Sequence, residues 1–411
     1  MNQFIKSNSS LIAVSWGHFV NDFFMSVVPI TLFAFAEVLK LNATQMSVIL
    51  FVITTAGTFF QPLVGLLIDR VQRSVLLILA LIWITVGMSL SGIITNFYLL
   101  TIVVGLAALG SSVYHPLGST ITIHKTGLSK GKSLSIFMTV GSFAHTAAPL
   151  VAIPLVSIYG LNALAYLLIP GLLSALFLYL SKVHQVKWTR EVKQERSNSE
   201  VEKKELLKNQ KEKMLSTKQQ LFMSIPVTIA VVKGVLYRIT IVFGVIIMGL
   251  KGVDHVQAGF VLSGFMLARA IATLVGGFVS DSIGEEKTLK IFNLLSLISV
   301  FCFLNFEGVL MIIGLVILGF SINATSAANI TIMHKIIPDR INFGTGIIMG
   351  FSATLSAVVM LGYGVLVDLY GHVALFNLVI GLTGLMALVS FILPKSLEPQ
   401  DLNPFLSKTN I

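Results

Sequence analysis

The chain has 411 residues, 55% of them hydrophobic and 11% charged, with a net charge of +10 and a mean hydropathy of +0.89. A soluble domain carries about 25% charged residues, so there is too little polar surface here to coat a globule in water, and lipid must solvate much of the exterior. The positive charge does not point to nucleic acid, because Lys and Arg lie between apolar runs rather than on one face, and the single cysteine, Cys302, excludes an internal disulfide.

A membrane-crossing helix needs about 20 apolar residues. Twelve such stretches follow one another: 11–36, 45–68, 75–95, 98–122, 133–158, 162–181, 222–249, 257–280, 288–306, 309–333, 343–367 and 373–394, here called spans 1 to 12. Backbone amides in hydrocarbon must bond within their own segment, so helices are predicted throughout. Span 1 runs past signal-peptide length without a small-residue cleavage site and is expected to be retained. The predicted units are an N-terminal six-helix bundle over 1–181, a linker over 182–221, a C-terminal six-helix bundle over 222–395 and a tail over 396–411. The linker mixes Lys203, Lys204, Lys208, Lys211 and Lys213 with Glu195, Glu200, Glu202, Glu205 and Glu212, as a solvated tether would.

The two halves echo one another. Residues 65–70 read G-L-L-I-D-R and residues 277–282 read G-F-V-S-D-S, while I-T-I-H-K from Ile121 is answered by I-T-I-M-H-K from Ile330. Asp69 and Asp281 are 212 residues apart, and His124 and His334 are 210 apart. A repeat of that period in so apolar a chain predicts two related bundles with a binding site between them, as in secondary transporters.

Charge predicts orientation. Arg70 and Arg73 follow span 2, Lys125, Lys130 and Lys132 follow span 4, Lys287 and Lys290 follow span 8, and Lys335 and Arg340 follow span 10. The opposite loops are nearly free of Lys and Arg, with Lys40 and Lys251 as exceptions. The positive-inside rule then places both termini and the linker in the cytoplasm.

Twelve spans split six and six, with a duplicated G-x-x-x-D, resemble the major facilitator superfamily. The family motif between spans 2 and 3 is here Gly65, Asp69, Arg70 and Arg73, with Gln72 in place of the second glycine; its second copy keeps Gly277, Asp281 and Gly284. G-H-F-V-N-D in span 1 (Gly17 to Asp22), Q-P-L-V-G-L-L-I-D-R ending span 2 (Gln61 to Arg70) and Y-H-P in span 4 (Tyr114 to Pro116) further resemble the fosmidomycin-resistance group of bacterial exporters. Leu117 stands where that group has a Glu, Ala148-Pro149 stands for the antiporter Gly-Pro, and span 4 lacks the drug-antiporter Arg. The resemblance implies an all-α membrane protein of twelve helices in two pseudo-symmetric bundles, in the bacterial inner membrane. It also implies a gate at Asp69, Arg70, Arg73 and Asp281, with Asp69 accepting hydrogen bonds from a helix N-terminus of the other half.

Ionisable groups in hydrocarbon cost several kcal/mol and mark functional sites. Asp22 lies midway along span 1 with His18 one turn before it on the same face. Asp22, His18 and His115 are the predicted proton-coupling groups. Lys233 and Arg238 in span 7 and Arg269 in span 8 give the C-terminal half an excess of buried cations, which favours an anion. Positions 233 and 238 are five apart, about 140° round a helix, so they are not expected to point straight into one cavity together. The predicted substrate-binding set is Arg238, Arg269, Lys233, Tyr114, Tyr237 and His145.

The expectation is a proton-coupled exporter of a small anionic or amphiphilic compound, such as a phosphonate antibiotic or a metal chelator. A proton-coupled uptake symporter for an anionic metabolite is the alternative. No cofactor, bound metal, nucleic acid or enzymatic activity is expected, and no nucleotide-binding or metalloprotease motif occurs. A monomer in the bilayer is expected.

Overall fold

A computed structural model of the chain describes residues 9–61, 64, 71, 73–124, 130–186, 217–338, 344 and 347–393. The N-terminal half comprises α1 (Ser9–Ile30), α2 (Leu32–Leu39), α3 (Ala43–Thr54), α4 (Val75–Leu90), α5 (Phe97–His124), α6 (Lys130–Tyr159) and α7 (Leu168–Leu180). The C-terminal half comprises α8 (Thr217–Gly249), α9 (His255–Ile283), α10 (Glu285–Asn305), α11 (Gly308–Ala324), α12 (Ser326–Ile336), α13 (Ser352–Tyr370) and α14 (Phe376–Phe391). Among the described residues, eleven helical segments are long and apolar enough to cross a membrane. Span 2 is represented by the shorter Ala43–Thr58, because its continuation, with Gly65, Asp69 and Arg70, falls outside the described residues.

Packing repeats between the halves as the sequence repeat predicts. Span 1 (α1) lies on span 5 (α6), and span 7 (α8) lies on span 11 (α13). Span 3 (α4) lies on span 4 (α5), and span 9 (α10) lies on span 10 (α11). Two broad contacts join the halves: α6 with α9, and α3 with α13. These are spans 5 with 8 and 2 with 11, the same pairing related by a two-fold exchange of halves. Large apolar side chains such as Phe278, Tyr98 and Leu388 stay exposed on the outside, where lipid rather than water receives them.

Local sequence sets the helix ends. Asn42 and Gln45 form a capping box at the start of α3, each side chain bonding the other's backbone amide, at 2.8 and 3.0 Å. Asp254 caps α9 through the amides of Val256 and Gln257. The two basic exceptions to the charge rule also sit at helix ends. Lys251 donates to the carbonyls of Phe303, Leu304 and Phe306 at 3.0, 2.8 and 2.7 Å, neutralising the C-terminal end of α10. Lys40 takes the left-handed conformation that ends α2.

Two helices carry π-type turns, Thr55–Phe59 continuing α3 and Ile347–Phe351 preceding α13. Both belong to α3 and α13, one of the two pairs that join the halves.

Candidate functional site

The N-terminal half of the site is built around one carboxylate. His18 and Asp22 share a face of α1, and His18 Nε2 stands 3.2 Å from Asp22 Oδ2. His115 of α5 brings its Nε2 to 3.3 Å from Oδ1, and His145 of α6 brings its Nε2 to 3.8 Å from Oδ2. Asn21 donates to Oδ1 at 2.9 Å and to Ser111 Oγ at 3.1 Å. Asp22 is 7% exposed and His18 2%, whereas His115 and His145 are half-buried.

Hydrogen bonding fixes how the rings present themselves. The Phe137 carbonyl, which can only accept, lies 2.7 Å from His18 Nδ1, so that nitrogen carries a hydrogen and Nε2 faces the carboxylate. Ser26 spends its hydroxyl hydrogen on the Asp22 carbonyl at 2.8 Å. It therefore accepts from His145 Nδ1 at 2.7 Å, and again Nε2 turns toward Asp22. Three imidazole nitrogens thus converge on one carboxylate. The ligand atoms of His18, Asp22 and His115 lie within 4.8 Å of one another, so a shared proton or a small divalent cation could bridge them. The ring of His18 fits because Gly141 of α6 has no side chain: a Cβ there would stand 2.3 Å from His18 Cε1.

The C-terminal half supplies cations. Arg238 of α8 donates to Ser356 Oγ at 2.7 Å and to the carbonyls of Gly234 and Ala353, both at 3.1 Å. Arg269 of α9 stacks over the Tyr237 ring with its guanidinium carbon 3.9 Å from the centroid. Lys233 donates to Ser326 Oγ at 2.7 Å. Among the described residues, no carboxylate lies within salt-bridge distance of any of the three. The Nε atoms of Arg238 and Arg269 are buried without a hydrogen-bond partner.

The two groups meet at a cavity of about 160 Å³ between the halves. Ser26, Thr54 and His145 line it from one half, and Tyr237, Arg238 and Met266 from the other. Arg269 lies within electrostatic reach of His145, Lys233 and Arg238. A half-buried imidazole of the carboxylate cluster and a buried guanidinium therefore share one small chamber whose wall is otherwise mainly apolar, with Ile30, Leu50, Ile53 and Ile241 on it.

The family model of the Major Facilitator Superfamily matches residues 14–253 and 227–407. The chain belongs to the Major Facilitator Superfamily. It is 24% identical over 363 residues to the "Fosmidomycin resistance protein" of Escherichia coli (strain K12), covering 87% of this chain and 86% of that protein. It is 23% identical over 388 residues to the "Uncharacterized MFS-type transporter YfnC" of Bacillus subtilis (strain 168), covering 93% and 92%. Among solved structures, a bacterial homolog of the human lysosomal transporter Spinster, inward-facing and occupied, superposes with a TM-score of 0.77 at 14% identity, over 96% of this chain and 97% of that one. A D-xylose-proton symporter gives 0.73 at 14%, over 95% and 98%. These structures share the fold of this superfamily member, a multi-pass membrane protein whose family moves small molecules.

Within that fold the predicted site residues divide. Asp22, His18 and His115 come together, and His145, expected among substrate contacts, joins them while also lining the cavity. Tyr237 and Arg238 line the cavity, with Arg269 stacked behind Tyr237. Lys233 turns to α12 instead, in keeping with its angle from Arg238. Tyr114, expected on the cavity wall, is fully buried inside the N-terminal half, where its hydroxyl donates to the Val14 carbonyl at 3.0 Å. Arg73 and Asp281 are exposed at the end of the bundle nearest the linker, while Asp69 and Arg70 lie outside the described residues. Ser26, Ser111, Ser326 and Ser356 complete the site without any signal in the sequence, since a serine in an apolar helix reads as packing. Asn21 had one, being the residue next to Asp22 in the span 1 motif.

Proposed function

We propose that this superfamily member is a proton-coupled secondary transporter that exports a small anionic or amphiphilic compound, a phosphonate antibiotic or a carboxylate-rich chelator. One observation carries the reading: the chamber between the halves is lined by His145, which reaches Asp22, and by Arg238, which has no acidic partner among the described residues. A proton held by Asp22 and its three imidazoles alters the charge facing the chamber. An anion held by the guanidinium groups supplies the countercharge that no carboxylate among the described residues provides. Occupancy of one changes the cost of burying the other, and export by antiport follows where the proton and the anion occupy the chamber in turn as the halves rock. Each elementary charge carried is worth about 2.3 kcal/mol per 100 mV, enough to concentrate a solute without ATP. The E. coli relative is named for resistance to fosmidomycin, a phosphonate, which supports an anionic cargo and an outward direction.

The charge rule supports a bacterial cytoplasmic membrane location with both termini and the linker inside, residues 1–181 and 222–395 acting as the two moving bodies. We read the chain as a monomer with no enzymatic activity. The test is transport in everted and right-side-out vesicles under an imposed pH gradient, with labelled fosmidomycin as probe. Export by antiport accumulates label in everted vesicles that are acidified inside. Accumulation in right-side-out vesicles that are acidic outside reverses the direction to uptake, and no gradient-dependent flux of any anion in either orientation rejects the reading.

A further inference from the structure

The contact between α3 and α13 contains a helix cap assembled across the two halves. Asp368, in the last turn of α13, accepts from the Ala43 amide at 2.7 Å and from the Thr44 amide at 2.9 Å, and the Thr44 hydroxyl also donates to it. Ala43 and Thr44 are the first two residues of α3, whose amides have no partner inside the helix. The next amide, Gln45, is already taken by the Asn42 side chain. Local sequence thus satisfies two of the orphan donors, the amides of Asn42 and Gln45, and leaves two for a carboxylate 325 residues away in the chain. The negative charge also meets the positive end of the helix dipole.

One turn before Asp368, Gly364 lets the two helices touch. A Cβ at Gly364 would stand 2.4 Å from Ser47 Oγ and 2.7 Å from the Ala43 carbonyl. Gly364-Val365-Leu366-Val367-Asp368 is therefore a third G-x-x-x-D, beside Gly65 to Asp69 and Gly277 to Asp281. Here the roles of both residues are visible: the glycine admits the partner helix and the aspartate caps it. A second contact at the same end joins α2 to α9, with His255 Nε2 3.7 Å from Glu37 and its ring 4.5 Å from that of Phe33. His372 lies close to Asp368; burial holds its imidazole below the usual range, against the pull of that carboxylate. It is then neutral near pH 7 and leaves the carboxylate to the helix end.

Both helices of this pair carry a π-type turn deeper in the bundle, Thr55–Phe59 and Ile347–Phe351, and the first supplies Thr58 to the cavity wall. A π turn breaks the regular ladder and is a place where a helix can bend. The cap at the far end, the weakened turn that reaches the cavity and the second weakened turn lie on the same two helices.

We propose that Asp368 is the latch that holds the halves closed at the end remote from the linker, and that it must release Ala43 and Thr44 for the cavity to open there. Asp368 touches neither the chamber nor the Asp22 cluster, so it acts on transport only by positioning α3 against α13. That this end is extracellular rests on the orientation proposed above; the latch itself does not. The sequence places Asp69, the matching residue, at the opposite end of span 2, so the pair of helices would carry one such latch at each end.

The test needs neither substrate nor gradient, so its failure is separable from failure of the transport reading. Spin labels are placed at Val38 and Tyr370, both exposed at this end, in a Cys302→Ser background. Distances are measured by double electron–electron resonance on full-length protein in nanodiscs. Asp368→Ala is expected to raise the long-distance population at least fivefold over the parent. Asp368→Asn, which keeps one acceptor and is less disruptive, is expected to raise it by a smaller factor, with an unchanged thermal unfolding profile serving as the check on folding. If Asp368→Ala does not fold, Asp368→Asn decides alone. Distance distributions matching the parent in the folded variants overturn the proposal. Labelling of Tyr370→Cys by an impermeant maleimide on intact cells fixes the side: reaction makes the latch extracellular, and protection makes it cytoplasmic, overturning the assigned sidedness.

Discussion

His145 and Arg238 face one chamber from opposite halves of the chain. The imidazole belongs to the Asp22 cluster, 3.8 Å from the carboxylate, and the guanidinium is anchored to Ser356 at 2.7 Å. A site split this way changes shape whenever the halves move, which a site confined to one bundle does not. Beyond the latch, four predictions concern this site and the helix end that Lys251 closes.

Gly141→Ala puts a methyl group 2.3 Å from His18 Cε1, with the other ring atoms nearly as close. Overpacking of this kind costs about 1–3 kcal/mol, and the ring can relieve it only by leaving Phe137 and Asp22. Proton-driven uptake into everted vesicles is expected to fall at least tenfold while anion binding in the absence of a gradient stays near the parent value. Equilibrium binding of labelled anion beside gradient-driven flux checks it.

Tyr237 carries Arg269 on its ring face, with the guanidinium carbon 3.9 Å from the centroid. Tyr237→Phe keeps the face and is expected to bind anion as the parent does. Tyr237→Leu removes it, and affinity is expected to fall by roughly 2- to 30-fold, the equivalent of about 0.5–2 kcal/mol for a cation–π contact. Isothermal titration of both variants separates the two cases.

Lys251→Met leaves three carbonyls at the end of α10 without their ammonium donor. The loss is expected to be about 1 kcal/mol, because the position is only partly buried and water can replace some of the bonds. Thermal unfolding in detergent should begin at lower temperature, with transport per folded molecule unchanged.

The fold was legible because the solvent is lipid. Length and hydropathy alone predict spans, and the echo of Asp69 in Asp281 predicts two bundles. The carboxylate cluster was legible for a related reason: an acid with a histidine one turn away is conspicuous in hydrocarbon, as His18 and Asp22 show. Tyr114 was misplaced because α5 is apolar on nearly every side, so periodicity cannot say whether a ring faces a chamber or a neighbouring helix. Asp368 carries no signal of its role in the sequence. It falls at the edge of a span, where an acid reads as loop, and its partners are backbone amides that no sequence pattern marks. Lys251 stands out against the charge rule in the sequence, and the structure gives it a local task at the carbonyls of Phe303, Leu304 and Phe306.

The central claim is that Asp22 carries the coupled proton, and one measurement addresses it most directly. Parent and Asp22→Asn proteins are reconstituted into liposomes with an interior pH dye, and labelled fosmidomycin flux and proton flux are followed together under an imposed gradient. The account predicts that Asp22→Asn loses gradient-driven accumulation and proton movement while still exchanging labelled for unlabelled anion across the membrane. Accumulation by Asp22→Asn at the parent level, with protons moving in step, would contradict it.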